Sequence, residues 1–281
     1  MNREPDNAEL LECAVEAAQT AGGHALRNLA RRSEAVARAR HDVKLQLDIE
    51  CQEKAVGVIA SRFPEHAILG EEDDHSEDSH PRAGFEWIVD PIDGTVNFSH
   101  GLPMWCCSIA VRRGERTLAG AVFAPVLDQL YTATVDQSAL LNDEAIRVSD
   151  TERLPEALVT TGMDKDAVPG VPPFAIFRAI AESVQKARIL GCAALDICRV
   201  AVGHADGYFE SGIYIWDIAA AGLIVERAGG RTETLSFLGR HRLQFLASNG
   251  LIHEDLKRAV RAVLDAGKPN AEPDTPSAPL R

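Results

Sequence analysis

The stretch from Trp87 to Trp105, WIVDPIDGTVNFSHGLPMW, constrains this chain more than any other. Trp87-Ile88-Val89 is a short apolar run of the kind that forms a buried strand. Asp90-Pro91-Ile92-Asp93-Gly94-Thr95 then breaks the pattern. Side chains three apart along a strand point to opposite faces, so Asp90 and Asp93 would diverge if the strand simply continued. Pro91 fixes its own φ and Gly94 opens backbone angles closed to other residues, which predicts a turn here. On a turn the two carboxylates and the Ile92 carbonyl converge on one point, the oxygen-only donor set that hard cations such as Mg2+ take. A helix beginning near Thr95 would aim free backbone N–H groups at an anion beside that cation. Asp-Pro and Asp-Gly pairs also make plain surface turns, so the reading depends on acidic residues elsewhere in the chain.

The chain as a whole is acidic. Its 42 Asp and Glu against 29 Lys and Arg leave a net charge of −13, which argues against nucleic acid or an anionic membrane surface as partner. A phosphorylated substrate would have to be held through cations. At 281 residues and 46% apolar content, the chain suits one large domain or two closely packed subdomains with ample core. The first residues, MNREPDNAELLE, lack the basic-then-apolar order of a signal peptide, and no apolar run approaches the ~20 residues that span a bilayer. Cys13, Cys51, Cys106, Cys107, Cys192 and Cys198 show neither CxxC pairs nor zinc spacing, which predicts reduced thiols in a cytoplasmic protein.

Apolar spacing predicts helices over Ala8–Arg32, with Gly22-Gly23 loosening its middle, and over Leu47–Phe63, ended by Pro64. Asp48 falls at the start of the second, where the helix dipole alone would favour it. Ala67–Gly70 reads as a strand ending in Glu71-Glu72, and an acidic run to His80 reads as a solvated loop around a strand-end Glu71. Strands follow at Cys107–Arg112, Leu118–Phe123 and Leu130–Thr134, the last two joined by a hairpin at Pro125–Asp128. The second half predicts a strand at Ala157–Thr161, helices at Phe174–Lys186 and Ala193–Val202, and a strand at Gly207–Glu210. A strongly apolar helix then runs from Trp216 to Ala228, closed by Gly229-Gly230. Asp217 in its first turn is a charge in surroundings that usually demand a partner, a cap or a metal. Phe245–Ser248 reads as a strand, Glu254–Leu264 as a helix, and the proline-rich residues 267–281 as a disordered tail.

Taken together, several separated segments resemble the inositol monophosphatase family of Mg2+-dependent sugar phosphatases. They are Gly70-Glu71-Glu72, DPIDGTVNF at 90–98, GCAALDICRVAVGHADG at 191–207, YFESGIYIWDIAAAG at 208–222 and Gly229-Gly230. The resemblance implies a layered α/β/α/β/α sandwich, with a catalytic domain over residues 1–266 in subdomains of about 8–150 and 151–266, and a homodimer. It implies hydrolysis of a phosphate monoester, such as an inositol monophosphate or another small phosphorylated polyol, by in-line attack of a Mg2+-activated water. Two to three Mg2+ are implied per site, with Mn2+ as a substitute and with sensitivity to Li+. Glu71, Asp90 and the Ile92 carbonyl match the family's first metal site, Asp90, Asp93 and Asp217 the second, and Glu71 borders a third. Thr95 matches the water-activating threonine and Asp48 its aspartate partner. Glu210 matches the acid that contacts substrate hydroxyls. Gly94, Thr95, Gly191, Cys192 and Ala193 match phosphate and substrate contacts, together with Asp93 and Asp217.

Two departures stand out. The family's DLVTxxD-like run is Asp42-Val43-Lys44-Leu45-Gln46-Leu47-Asp48 here, and Cys192 stands where a small, often hydroxyl-bearing residue is usual. Val96-Asn97 after DPIDGT, in place of the lysine-glycine pair of nucleotide 3′-phosphatases, favours inositol phosphate. Fructose 1,6-bisphosphate and histidinol phosphate stay open, as does a catalytically retired interaction protein on the same fold.

Overall fold

A computed structural model describes residues 3–38, 43–73, 84–163, 171–172, 174–239 and 241–266. The elements are α1 (Asn7–Arg27), β1 (Ala35–Arg38), β2 (Val43–Leu45), α2 (Gln46–Arg62), β3 (Ala67–Gly70), β4 (Phe85–Asp93), α3 (Thr95–His100), β5 (Cys106–Arg113), β6 (Arg116–Ala124), β7 (Gln129–Thr134), β8 (Leu140–Leu141) and β9 (Glu144–Ala145). The second half adds β10 (Leu158–Thr161), α4 (Ala175–Ser183), β11 (Lys186–Arg188), α5 (Ala193–Ala201), β12 (Gly207–Tyr214), α6 (Ile215–Arg227), β13 (Arg231–Gly239), β14 (Arg242–Ser248) and α7 (His253–Ala266). The tail 267–281 and most of the acidic run, 74–80, lie outside the described residues.

Three apolar layers order these elements. A seven-stranded sheet, β3-β4-β5-β6-β7-β8-β9, presents Trp87, Val89 and Ile109 on one face to Leu10, Ala14 and Cys51 of α1 and α2. Its other face carries Ile88, Ala110 and Val122 against α5 and α6, which also meet the five-stranded sheet β11-β10-β12-β14-β13 through Tyr208 and Phe245. Phe209 and Leu246 on the far side of that sheet pack with Ile180, Leu256 and Val260 of α4 and α7. The order helix, sheet, helix, sheet, helix is the sandwich expected from the sequence. Alternation along β4 and β5 feeds two cores at once, which is why their residues from Trp87 to Ile92 and from Cys106 to Val111 are almost all buried.

Several boundaries move for physical reasons. The first helix ends at Arg27 with Asn28 as its cap, short of Arg32. Gly22 does not loosen it: a Cβ there would stand 2.9 Å from Phe123 Cδ1, so glycine lets α1 lie close on β6. The helix predicted to Lys186 stops at Ser183, whose hydroxyl bonds back to the Ala179 carbonyl, and Lys186–Arg188 pairs parallel to β10 instead. β13 escaped the sequence reading because Arg231–Gly239 faces solvent for most of its length and shows little alternation.

Candidate active site

The correction that matters most concerns Asp90 to Asp93. The chain does not turn after Val89; β4 continues to Asp93, antiparallel to β5. Asp90 pairs with Ser108 and Asp93 with Cys106, so three steps on β4 oppose two on β5. This bulge inserts one residue and reverses the alternation. Ile92 therefore packs with Trp87 and Val89 towards α1 and α2, and Asp93 returns to the face of Asp90. Gly94, at φ 86°, ends the strand, where a Cβ would lie 2.8 Å from the Met104 carbonyl. Thr95 then opens α3, and its Oγ1 donates to the Ile92 carbonyl at 2.9 Å.

Three other helices hold acids at their first turns. Asp217 is the third residue of α6, and its carboxylate accepts the Tyr214 N–H at 2.9 Å. Asp48 holds the same place in α2, accepting the Leu45 N–H at 2.7 Å. Asp93 reaches across to α5, taking the Ala193 N–H at 3.2 Å and the Ala194 N–H at 2.6 Å. Capping and site-building are thus the same contacts, because a helix N-terminus stabilises the anion it positions.

Asp90, Asp93 and Asp217 bring ligand oxygens within 4.8 Å of one another. With Glu71 they floor a cavity of about 410 Å3 that is also lined by Ile92, Gly94, Thr95, Gly191, Cys192, Ala193 and Glu210. Every residue singled out in the sequence reaches this cleft except Asp48, which is buried behind it at the start of α2. Lys44, the unusual residue in that run, pairs with the carboxylate of Glu72, and Leu45 fills the apolar core beneath.

The electrostatics are those of buried, crowded carboxylates. Burial, then repulsion from Glu71, Asp93 and Asp217, raises the Asp90 carboxyl well above its ordinary range. Burial raises Asp217 likewise, followed by Asp93 and Glu71. Glu71 is raised by burial and by Glu72. Asp93 is raised by burial despite the thiol and N–H donors around it. Asp90 is wholly buried, and apart from the neighbouring Glu71 carboxyl no N–H or hydroxyl donor reaches its oxygens among the described residues. Such a group is costly without a cation, and the surrounding donors are carboxylates and a carbonyl. The residues fit a hard divalent ion.

Among the lining residues that were not foreseen, four bear on the chemistry. Tyr208, two residues before Glu210 on β12, donates its hydroxyl to the Glu210 carboxylate. Asp196, 1% exposed in the first turn of apolar α5, is pushed by burial to about 8. It carries the same signature that singled out Asp217. Arg242 stands over the Tyr214 ring at the cleft. Gly162 gives the Glu210 carboxylate its room, since a Cβ there would fall 1.9 to 2.1 Å from its atoms.

A layered sandwich with carboxylates converging where strand and helix ends meet defines a class of metal-dependent small-molecule phosphatases, and comparison agrees. The sequence profile of the inositol monophosphatase family matches residues 6–263, and the chain belongs to that family. A protein named Nus factor SuhB from Pasteurella multocida is 35% identical over 263 residues, covering 92% of this chain and 96% of that protein. Inositol-1-monophosphatase of Synechocystis sp. is 34% identical over 260 residues, 90% of this chain and 88% of that one. The solved inositol monophosphatase of Anabaena superposes with a TM-score of 0.78 at 32% identity, over 90% of this chain and 95% of that one. No helix among the described residues is long and apolar enough to cross a membrane.

Proposed function

We propose that the chain is a divalent-cation-dependent phosphate monoester hydrolase whose substrate is an inositol monophosphate or a similarly hydroxyl-rich polyol phosphate. The observation that carries this reading is the convergence of Asp90, Asp93 and Asp217 beside Glu71 on the floor of one cleft that also holds Glu210. Glu71, Asp90 and the Ile92 carbonyl would hold one cation and Asp90, Asp93 and Asp217 a second, with Mg2+ or Mn2+ suited to an all-oxygen set. When bound, the cations neutralise the phosphate and acidify water. Thr95 Oγ1, its proton committed to the Ile92 carbonyl, keeps lone pairs to accept a hydrogen bond from water and so orient it, and Glu71 would polarise the same water. Asp48 acts from behind, through its field on Glu71. Gly94, Gly191 and Cys192 border the phosphate. The Ala193 N–H is engaged by Asp93, so Ala193 shapes the pocket through that bond. Glu210 grips hydroxyls remote from phosphorus. A homodimer, a cytoplasmic location and millimolar-range Li+ sensitivity belong to the same proposal and rest on the family likeness.

Phosphate release from inositol monophosphate, fructose 1,6-bisphosphate, histidinol phosphate and an aryl phosphate tests it. Turnover that needs Mg2+ or Mn2+, is abolished by EDTA and is highest on the inositol ester is expected. Undiminished turnover in a metal-free sample overturns the proposal, and preference for another ester reassigns the substrate. Relatives named Nus factor favour a second reading, in which the chain also serves as one. The complete carboxylate set argues against a catalytically retired protein. Replacing the native chain with Asp217→Asn in its own cell separates the two: defects that appear belong to hydrolysis, and functions that survive belong to the other role.

A further inference from the structure

Beside the hard carboxylate set lies a donor set of the opposite chemistry. Cys106 Sγ on β5 and Cys192 Sγ, just before α5, stand 3.7 Å apart. Asp93 Oδ2 lies 3.1 Å from Cys192 Sγ and 3.8 Å from Cys106 Sγ. All three residues are buried, yet Asp93 and Cys192 line the cleft, which gives an ion a route in. We propose that Cys106, Cys192 and Asp93 form a site for a thiophilic divalent cation such as Zn2+ or Cd2+, adjoining the hard set.

The argument is geometric. A tetrahedral zinc ion with bonds of ~2.3 Å to sulfur and ~2.1 Å to oxygen sets an S···S separation of about 3.75 Å and S···O separations of about 3.6 Å. The observed edges are 3.7, 3.8 and 3.1 Å. Only the Cys192–Asp93 edge has to open, by roughly 0.5 Å on the same bond lengths. A disulfide would instead need the sulfurs to close to ~2.05 Å, a shift of roughly 1.6 Å across a packed strand-to-helix contact. Thiolates are the ligands, so binding releases both thiol protons to solvent, and the cleft leaves a fourth position to water. Mg2+ prefers oxygen, so these sulfurs select a soft cation over it. The site shares Asp93 with the hard set. A soft ion bound there draws Asp93 away from Asp90 and Asp217, a route by which thiophilic metals act on the cleft even when Mg2+ saturates it.

Cadmium titration of the full chain at saturating Mg2+ tests this, followed by ultraviolet cadmium–thiolate charge-transfer absorption and by X-ray absorption at the cadmium edge. The expected result is a band that saturates at one ion per chain, with two sulfur neighbours. Cys106→Ala and Cys192→Ala should each abolish the band, while Cys13→Ala, a buried thiol on α1, should keep it. Absence of the band in the native chain, its survival in Cys106→Ala, or fewer than two sulfur neighbours overturns the site. The count of sulfur neighbours in the native chain decides the matter even if a variant fails to fold. None of these readouts depends on turnover, so their failure leaves the hydrolase proposal standing.

Discussion

Asp217 and Glu210 carry the same charge into one cleft, and their surroundings separate their roles. Asp217 brings its carboxylate within 4.8 Å of those of Asp90 and Asp93, so under the proposed hydrolysis its contribution would grow as charge develops on the leaving oxygen. Asp217→Asn is expected to lower kcat and kcat/KM together. Glu210 sits on β12 with its carboxylate held by the Tyr208 hydroxyl, apart from that cluster. Glu210→Gln should mainly raise KM, by roughly 5- to 150-fold for the ~1–3 kcal/mol of one charged hydrogen bond, and more for inositol phosphate than for an aryl phosphate. Gly162→Ala should reproduce the Glu210→Gln pattern without touching a charge, because its Cβ would occupy the space of the Glu210 carboxylate. Steady-state kinetics on both substrates at saturating Mg2+ would refute these roles if Glu210→Gln proved the kcat variant. The residues on the cleft floor were legible in the sequence because each breaks a local rule: a carboxylate in an apolar run, or at the first turn of a buried helix. Tyr208 and Gly162 break none. Their part depends on β10 and β12 lying side by side, a tertiary fact that spacing does not encode.

At the scale of elements, the cleft depends on α6 lying flush on the seven-stranded sheet. Gly120 of β6 makes this possible: a Cβ there would stand 2.9 Å from Ala220 Cα and 3.0 Å from Ala220 Cβ. No flexible side-chain end can yield at that contact, so Gly120→Ala must push helix from sheet. The expected cost is about 1–3 kcal/mol of overpacking. Thermal melting would show this as a fall of several degrees, at about 2–4 °C per kcal/mol for a chain of this order of size. Because Asp217 rides on α6, Mg2+ should also stabilise the variant less than the native chain. A melting point unchanged from native would show that the contact has slack. This dependence explains which elements were readable in advance. α5, α6 and β5 are buried on nearly every side and read as apolar runs; α1 shows one apolar face. The bulge at Asp90–Asp93 was misread as a turn because Pro91 and Gly94 signal a break equally well for either. Only the pairing with Ser108 and Cys106 distinguishes them.

At the scale of the molecule, stability and metal binding share one set of groups, so pH should reveal both. Burial and mutual repulsion hold Glu71, Asp90, Asp93 and Asp217 above their ordinary carboxyl range, Glu71 at about 8. Burial puts Asp196 at about 8 as well. In the unfolded chain these groups ionise near ~4. Below that value both states are protonated and the groups cost nothing. Between that value and the raised folded values, the folded chain keeps protons that the unfolded chain has released. Stability therefore falls as pH rises through this interval. Glu50, drawn down to about 2 by Arg31 and then His24, acts in the opposite sense. Its contribution is present above ~4 and is lost only as pH falls towards 2, so it leaves the interval unaffected, while His66 and His253, both lowered by burial, oppose the slope only up to ~6.5. Divalent cations replace the missing protons at the cleft and should remove most of the slope. The metal-free chain is accordingly expected to melt at progressively lower temperature from about pH 5 to about pH 8, while the Mg2+-induced rise in melting temperature grows over the same range as protons cease to compete with the cation. Melting curves in chelator and in Mg2+ across that interval make the comparison. A metal-free melting point that climbs with pH, or a Mg2+ shift that is the same at both ends, would mean that the carboxylates at the cleft floor do not carry the repulsion their burial implies.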